Sequence, residues 1–179
     1  KWGKSTKGEG LMNLSIFVDS LVVAGNREIF KEVRSHLFDN LDNTDMFYSF
    51  FAMPVKSFST PLNVFGGLKR GSGLDIKKGG IFPLVHGVRT LALHHKLKAT
   101  NTFFRLELLA EQKVLKKKFA KNLAEAMAVL SKIRLEQQLK AATGQAGQDE
   151  ANLINPLELN KLDRDLLREA LHLVKEFKS

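Results

Sequence analysis

Apolar residues recur along most of this chain with the spacing of helices. In "REIFKEVRSHLFDN", Ile29, Phe30, Val33, Leu37 and Phe38 fall on one helical face, and Asn26 stands ahead of them as an N-cap. From Thr44 to about Met53 the segment is nearly all apolar ("MFYSFFAM"), which predicts a central helix that Pro54 helps to stop. Another helix is predicted from Ile81, with Pro83 in its first turn, where a missing N–H costs little. Leu84, Val88, Leu91 and His95 line one stripe of it. Val85, Arg89 and Ala92 line the neighbouring stripe, so Arg89 borders the buried face. Thr102 is expected to cap "FFRLELLAEQ". The longest helix is predicted over about 115–140, and Pro156 precedes the last, roughly 158–177.

Three stretches depart from that pattern. "LSIFVDSLVVAG" is rich in β-branched and aromatic residues and ends at Gly25, so it reads as a strand that Asp19 interrupts. Gly66, Gly67, Gly71, Ser72 and Gly73 break any helix and predict a hairpin with arms at 62–69 and 74–76. "AATGQAGQDEAN" has the composition of a mobile loop. The expected fold is mainly α, a bundle of about six helices with a short N-terminal strand and a small β-hairpin. Residues 1–25 form the strand segment and 26–179 the helical domain.

Composition narrows the chemistry. A length of 179 residues fits one domain, and 44% hydrophobic residues mark it as globular. The absence of cysteine excludes disulfides, thiolate metal sites and a cysteine nucleophile, and suits a reducing cytoplasm. No apolar run reaches the roughly 20 residues of a membrane span. The first residue is not methionine, which suggests a piece of a longer protein. The formal charge of +9 attracts anions, whether nucleotides, nucleic acid or acidic proteins. Much of it is local, with eight Lys or Arg against two Glu between Lys113 and Lys140, a pattern that also suits a solvated helix face.

Four groups of residues are candidates for function. Gly71, Ser72 and Gly73 followed by Asp75 partly match a nucleotidyltransferase signature, but the second acid of its Asp-x-Asp pair is Lys77 here. Two-metal phosphoryl transfer needs converging carboxylates, so a turn is the better reading. "DIKKGG" offers Lys77, Lys78 and the Gly79–Gly80 amides as an anion-accepting corner at a helix start, anchored by Asp75. Arg89 and Arg134 are set among apolar residues and need an acid, a carbonyl or a ligand. Asp75 and Glu107 are the internal acids considered, and a structural salt bridge satisfies the same need. Arg89 and His94 form an R-x4-H pattern of the kind some helical ribonucleases use, and converge only if the helix ends there. No histidine pair has metal-ligand spacing.

The run "DIKKGGIFPLVHGVRTLAL", with "TNTFFRLELL", "LSKIRLEQQ" and "NLINPLELNKLDRDLLREAL", resembles the nucleotidyltransferase substrate-binding domain. That helical family closes bacterial signal-transduction proteins that also carry CBS and cyclic-nucleotide-binding domains. It follows a domain related to the uridylyltransferases that modify the nitrogen-signalling protein. The resemblance spans Asp19 to Phe177. It marks Asp75, Lys77, Gly79, Gly80 and Pro83, then Arg89, Thr102, Arg105 and Leu106. Further on it marks Arg134, Leu135 and Gln138, and finally Asn152, Ile154 and Pro156.

It implies a non-catalytic module that binds a nucleotide or an acidic protein substrate, with Arg89, Arg105, Arg134 and Gln138 joining the Asp75–Gly80 corner. It implies no cofactor in this chain, with magnesium and a nucleoside triphosphate used by the parent protein. Asp19 aligns with the third carboxylate of the upstream catalytic domain, although Ser20 and Leu21 follow it and Asn26 stands for the family Asp. The competing readings are an RNA-directed helical domain, which one Trp and one Tyr serve poorly for base stacking, and a dimerising bundle.

Overall fold

The computed structural model describes residues 8–41, 44–69, 73–144, 147 and 152–179. Among them are seven α-helices: α1 (Gly8–Val18), α2 (Arg27–Asp39), α3 (Asp45–Ser57), α4 (Phe82–His94), α5 (Thr102–Glu111), α6 (Lys117–Ala142) and α7 (Lys161–Phe177). Two short strands, β1 (Leu74–Asp75) and β2 (Leu153–Ile154), pair antiparallel, Leu74 opposite Ile154 and Asp75 opposite Leu153. The fold is mainly α, as the periodicity predicts.

The predicted N-terminal strand is instead the helix α1. On a strand, residues 14, 16 and 18 would share a face. Here Leu14 and Val18 are fully buried while Ile16 is 63% exposed, so helical packing overrides the β-branched composition. The predicted hairpin is replaced by two separate pairings. Leu62 bridges Leu68 inside its own loop, and Leu74 leaves to pair with Ile154, far along the chain. Gly71 and Ser72 lie outside the described residues, as does half of the predicted mobile loop.

Helix boundaries shift for identifiable reasons. The Asn26 side chain accepts from Glu28 and Ile29 amides, as expected of its N-cap. Asn101, not Thr102, caps α5, its Oδ1 accepting the Phe104 amide at 3.1 Å. Asn160 caps α7, which begins three residues later than predicted. Pro54 lies inside α3, which continues to Ser57. The helix predicted from Ile81 begins earlier, as a π-turn over Lys77–Ile81 that runs into α4, with the Phe82 amide reaching the Lys77 carbonyl.

Gly79 and Gly80 therefore sit inside this helical segment, and both are buried. A Cβ on Gly79 would stand 2.7 Å from Pro61 Cδ and 2.9 Å from the Ser59 carbonyl oxygen. A Cβ on Gly80 would press Leu130 and Leu171 at 3.2 and 3.3 Å. The two glycines let the main chain approach α6, α7 and the 59–61 segment.

Two apolar clusters share α4. One is built around Leu84, Val88, Leu109, Leu123, Leu130 and Leu171, joining α4 to α5, α6 and α7. The other gathers Leu14, Val18, Phe38, Phe47, Phe51 and Leu93, joining α4 to the first three helices. Burying such side chains is worth roughly 1.5–3 kcal/mol each before conformational entropy is counted. The polar side of α4 lies between these two masses.

Candidate functional site

Asp19 follows α1 directly, and its carboxylate is the centre of a cationic cluster. Arg89 donates from Nε at 2.9 Å and from Nη2 at 2.6 Å to Asp19 Oδ2. Arg105 donates from Nη2 at 2.5 Å to Asp19 Oδ1. Both carboxylate oxygens are thus occupied by guanidinium groups from different helices, α4 and α5. Arg89 is a seam residue, as its place in the apolar pattern predicts. Its acid is Asp19, 70 residues away, and neither Asp75 nor Glu107. Such charge-assisted forks are the stronger class of hydrogen bond.

His86, one turn before Arg89, extends the cluster. It is 5% exposed, with Nε2–H donating to the Phe51 carbonyl at 2.7 Å and Nδ1 accepting from Arg89 Nη1 at 2.9 Å. That pair of bonds requires the neutral imidazole with its proton on Nε2. Burial lowers the His86 pKa; the hydrogen bond to the Phe51 carbonyl opposes it in part, and the weaker effects of Arg89 and Asp19 lower and raise it in turn. Both ring nitrogens are in use, so His86 holds Arg89 in place and has no free nitrogen for proton transfer.

Arg34 of α2 closes the other side. It donates to the Val18, Ser20 and Lys98 carbonyls, which pins the two residues flanking Asp19. Burial and neighbouring Arg105 lower its pKa, partly offset by Asp19. Three arginines thus surround one carboxylate. Arg105 is 1% exposed, donates from Nε to the Ala99 carbonyl at 2.7 Å, and leaves Nη1 buried without a hydrogen-bond partner among the described residues. Neither Arg34 nor His86 figures among the residues predicted from sequence. His86 had a readable signal, a polar residue three positions before Arg89 on the same helix face. Arg34 had none, since its partners are main-chain carbonyls.

The remaining predicted residues fall elsewhere. Arg134 of α6 donates from Nε to Asn152 Oδ1 at 2.8 Å, and Gln138 is half-buried one turn on. With the β1–β2 pairing, this contact ties three of the motifs that carry the resemblance, at 75–83, 134–138 and 152–156, into one joint. Asp75 accepts the Lys78 amide at 2.8 Å and so caps the helical segment itself. Lys78 Nζ is 3.6 Å from Asp75, and both lysines are exposed. The structure puts the Gly79 and Gly80 residues in the packed interior and not at an open helix start. His94 packs against Tyr48 with the rings tilted and their centroids 4.5 Å apart, and lies 3.8 Å from Asp45. Arg89 and His94 therefore point to different partners, and the R-x4-H pair does not converge.

Among the described residues there is no group of three or more His, Cys, Asp or Glu able to hold a metal ion. No helix among them is long and apolar enough to cross a membrane. What the cluster can do is hold a carboxylate by charge and shape. No curated protein and no solved structure matches the chain. A family model does: the arginines Arg89, Arg105 and Arg134 and the β1–β2 joint all lie within residues 45–179, which match the family described as "Putative nucleotidyltransferase substrate binding domain", and the chain belongs to that family.

Proposed function

We propose that this chain is the helical, non-catalytic part of a nucleotidyltransferase-like signal-transduction protein, and that it holds the substrate or partner on which an upstream catalytic domain acts. One observation carries the reading. The family's segment begins at Asp45, yet two of its arginines close on Asp19, a carboxylate supplied by the segment before it. A domain that grips an acid from its upstream neighbour is suited to align that neighbour with a substrate.

The same side of the molecule exposes apolar surface. Leu21, Val23, Ile29 and Val33 are each at least half exposed and line a shallow trough between the end of α1 and α2. An upstream nucleotidyltransferase-like domain is the occupant we assign to it, because this surface lies on the segment that precedes the family match. Magnesium and a nucleoside triphosphate belong to that domain. Asp19, with both oxygens on arginines, serves here as a positioning group. The resemblance to signal-transduction proteins supports assigning the protein to the bacterial cytoplasm, and in this reading the marked residues Asp75 and Arg134 belong to the joint that orients the binding face, with Gln138 one turn beyond Arg134.

The test is an incubation of the purified chain with labelled nucleoside triphosphates, magnesium and an acidic acceptor protein. No label should be transferred. Transfer that is lost in Asp19→Ala would make this chain itself an enzyme and overturn the reading. Tighter binding of RNA than of nucleotide or acidic protein, falling steeply with salt, would favour a nucleic-acid module instead.

A further inference from the structure

A second cationic site lies on other elements, bounded by the 62–69 loop, the 155–157 turn and the first two turns of α7. It is a cleft of about 500 Å³, within the range of small-molecule pockets. Lys69, Arg164 and Arg168 line it together with a single acid, Asp165. Leu68, Pro156 and Leu157 supply an apolar floor and rim, and Leu157 is 82% exposed.

The wall of this cleft is fixed. Asn63 Oδ1 accepts the Phe65 and Gly67 amides at 2.9 and 3.0 Å, and the Asn63 amide donates back to the Gly67 carbonyl. His172 Nε2–H of α7 donates to the Gly66 carbonyl at 2.7 Å, across 106 residues. Gly66 has φ +79°, and a Cβ there would meet the His172 ring at 2.8 Å, so the loop is fitted closely to the helix.

The cations inside outnumber the acids beside them. Arg164 donates from Nη2 to the Leu159 carbonyl at 2.9 Å, but its Nε is buried with no partner among the described residues. Among the described residues Arg168 has only long contacts, 3.7 Å to Asp165 and 3.4 Å to Glu169, with all three side chains well exposed. Arg164 and Arg168 are one helical turn apart and share a face of α7. Three cations against Asp165 and Glu169 leave the cleft net positive, and their several N–H donors suit the three acceptor oxygens of a phosphate monoester. A carboxylate, with two oxygens, would leave more of those donors unused.

We infer that the cleft of Lys69, Arg164 and Arg168 binds the phosphate of a small phosphomonoester, with its organic part against Leu68, Pro156 and Leu157. The inference is independent of the proposed function. It would hold for a chain with no nucleotidyltransferase neighbour, and it involves neither Asp19 nor Arg89.

The phosphate has two sources, a nucleotide or another phosphorylated metabolite, and calorimetric titration separates them. Adenosine monophosphate, glucose 6-phosphate and inorganic phosphate are each titrated into the whole chain, with adenosine and glucose as controls. Saturable binding of the phosphorylated compounds alone is expected, with amide shifts at Gly67, Leu68 and Leu157. Tighter binding of the nucleotide would assign that source, and equal binding would assign the phosphate group itself.

Arg168→Gln should weaken binding by about ten- to a hundredfold, the loss expected when a charged hydrogen bond is removed. Its side chain is exposed, so its melting curve should match the unmodified chain. Lys69→Gln provides a second variant of the same kind. Failure of every phosphorylated compound to bind would overturn the inference, as would undiminished binding in both variants or a preference for an acidic peptide.

Discussion

Arg89 and Arg105 end on a shared, partly buried carboxylate, while Arg164 and Arg168 line a cleft where the acids near Arg168, Asp165 and Glu169, are exposed and at long range. The residue type is the same, and both pairs project from helices of one bundle. What differs is the partner. Around Asp19 the guanidinium groups are 14% and 1% exposed, and two of them share one carboxylate. In the α7 cleft the cations exceed the acids and reach solvent. A buried arginine with a dedicated acid fixes structure. An arginine in a concave site without one is available to a ligand. The seam position of Arg89 therefore reported on packing, and the less conspicuous Arg164 and Arg168 mark the open site.

The largest effect should come from removing the shared acid. Asp19→Ala leaves two guanidinium groups facing each other, one of them buried, and should cost about 3 kcal/mol, the lower end for a broken buried pair because Asp19 is partly exposed. Denaturant unfolding measures it, and a loss below about 1 kcal/mol would mean that the cluster is not a structural tie.

Next comes Gly79→Ala. Its Cβ meets a proline ring and a main-chain carbonyl, neither of which can yield as a flexible side chain can, so a loss of about 1–3 kcal/mol is expected. An unchanged melting temperature would instead favour an open anion corner at this glycine.

A smaller effect concerns pH. Burial depresses the His86 pKa, so the folded state binds fewer protons than the unfolded state near the ordinary histidine value. The stability this provides is complete above the unfolded pKa. It should decline as the pH falls below it, towards the folded value. His86→Gln should flatten that slope in a melting series from pH 7.5 to 5.5, and what remains should come from His95, which burial and His94 also hold low. An identical slope in His86→Gln would show that the imidazole is not kept neutral.

The smallest effect belongs to Lys77→Ala with Lys78→Ala. Both lysines are exposed and the acid contact they make among the described residues is long, so stability should change by about 0.5 kcal/mol or less. Affinity for a phosphomonoester should also be unchanged. A clear drop there would move the phosphate site to the π-turn and away from α7.

Local patterning carried most of the helices, since α2 to α7 follow apolar spacing and caps that involve neighbouring residues. It failed at α1, where β-branched residues favoured a strand and only packing against α2, α3 and α4 decides the outcome. It failed again at Leu74, whose partner Ile154 no short window contains. The site divides the same way. A lone arginine between Val88 and Leu91 is legible as a residue in need of an acid. Which acid answers it depends on how two helices 70 residues apart come together. The α7 cleft was not legible, because Arg164 and Arg168 look like ordinary surface charge until the 62–69 loop is folded against them.

The second apolar cluster crosses the point where the family match begins. Leu14, Val18, Phe38 and Leu41 stand before Asp45, and Phe47, Tyr48, Phe51 and Leu93 stand after it. The segment that is recognisable by descent is thus smaller than the unit that folds. A protein trimmed to start at Asp45 would keep every motif that identifies the family. It would lose half of one core and the counter-ion of Arg89 and Arg105, and would be recovered as aggregate, whereas one starting at Gly8 would be recovered folded.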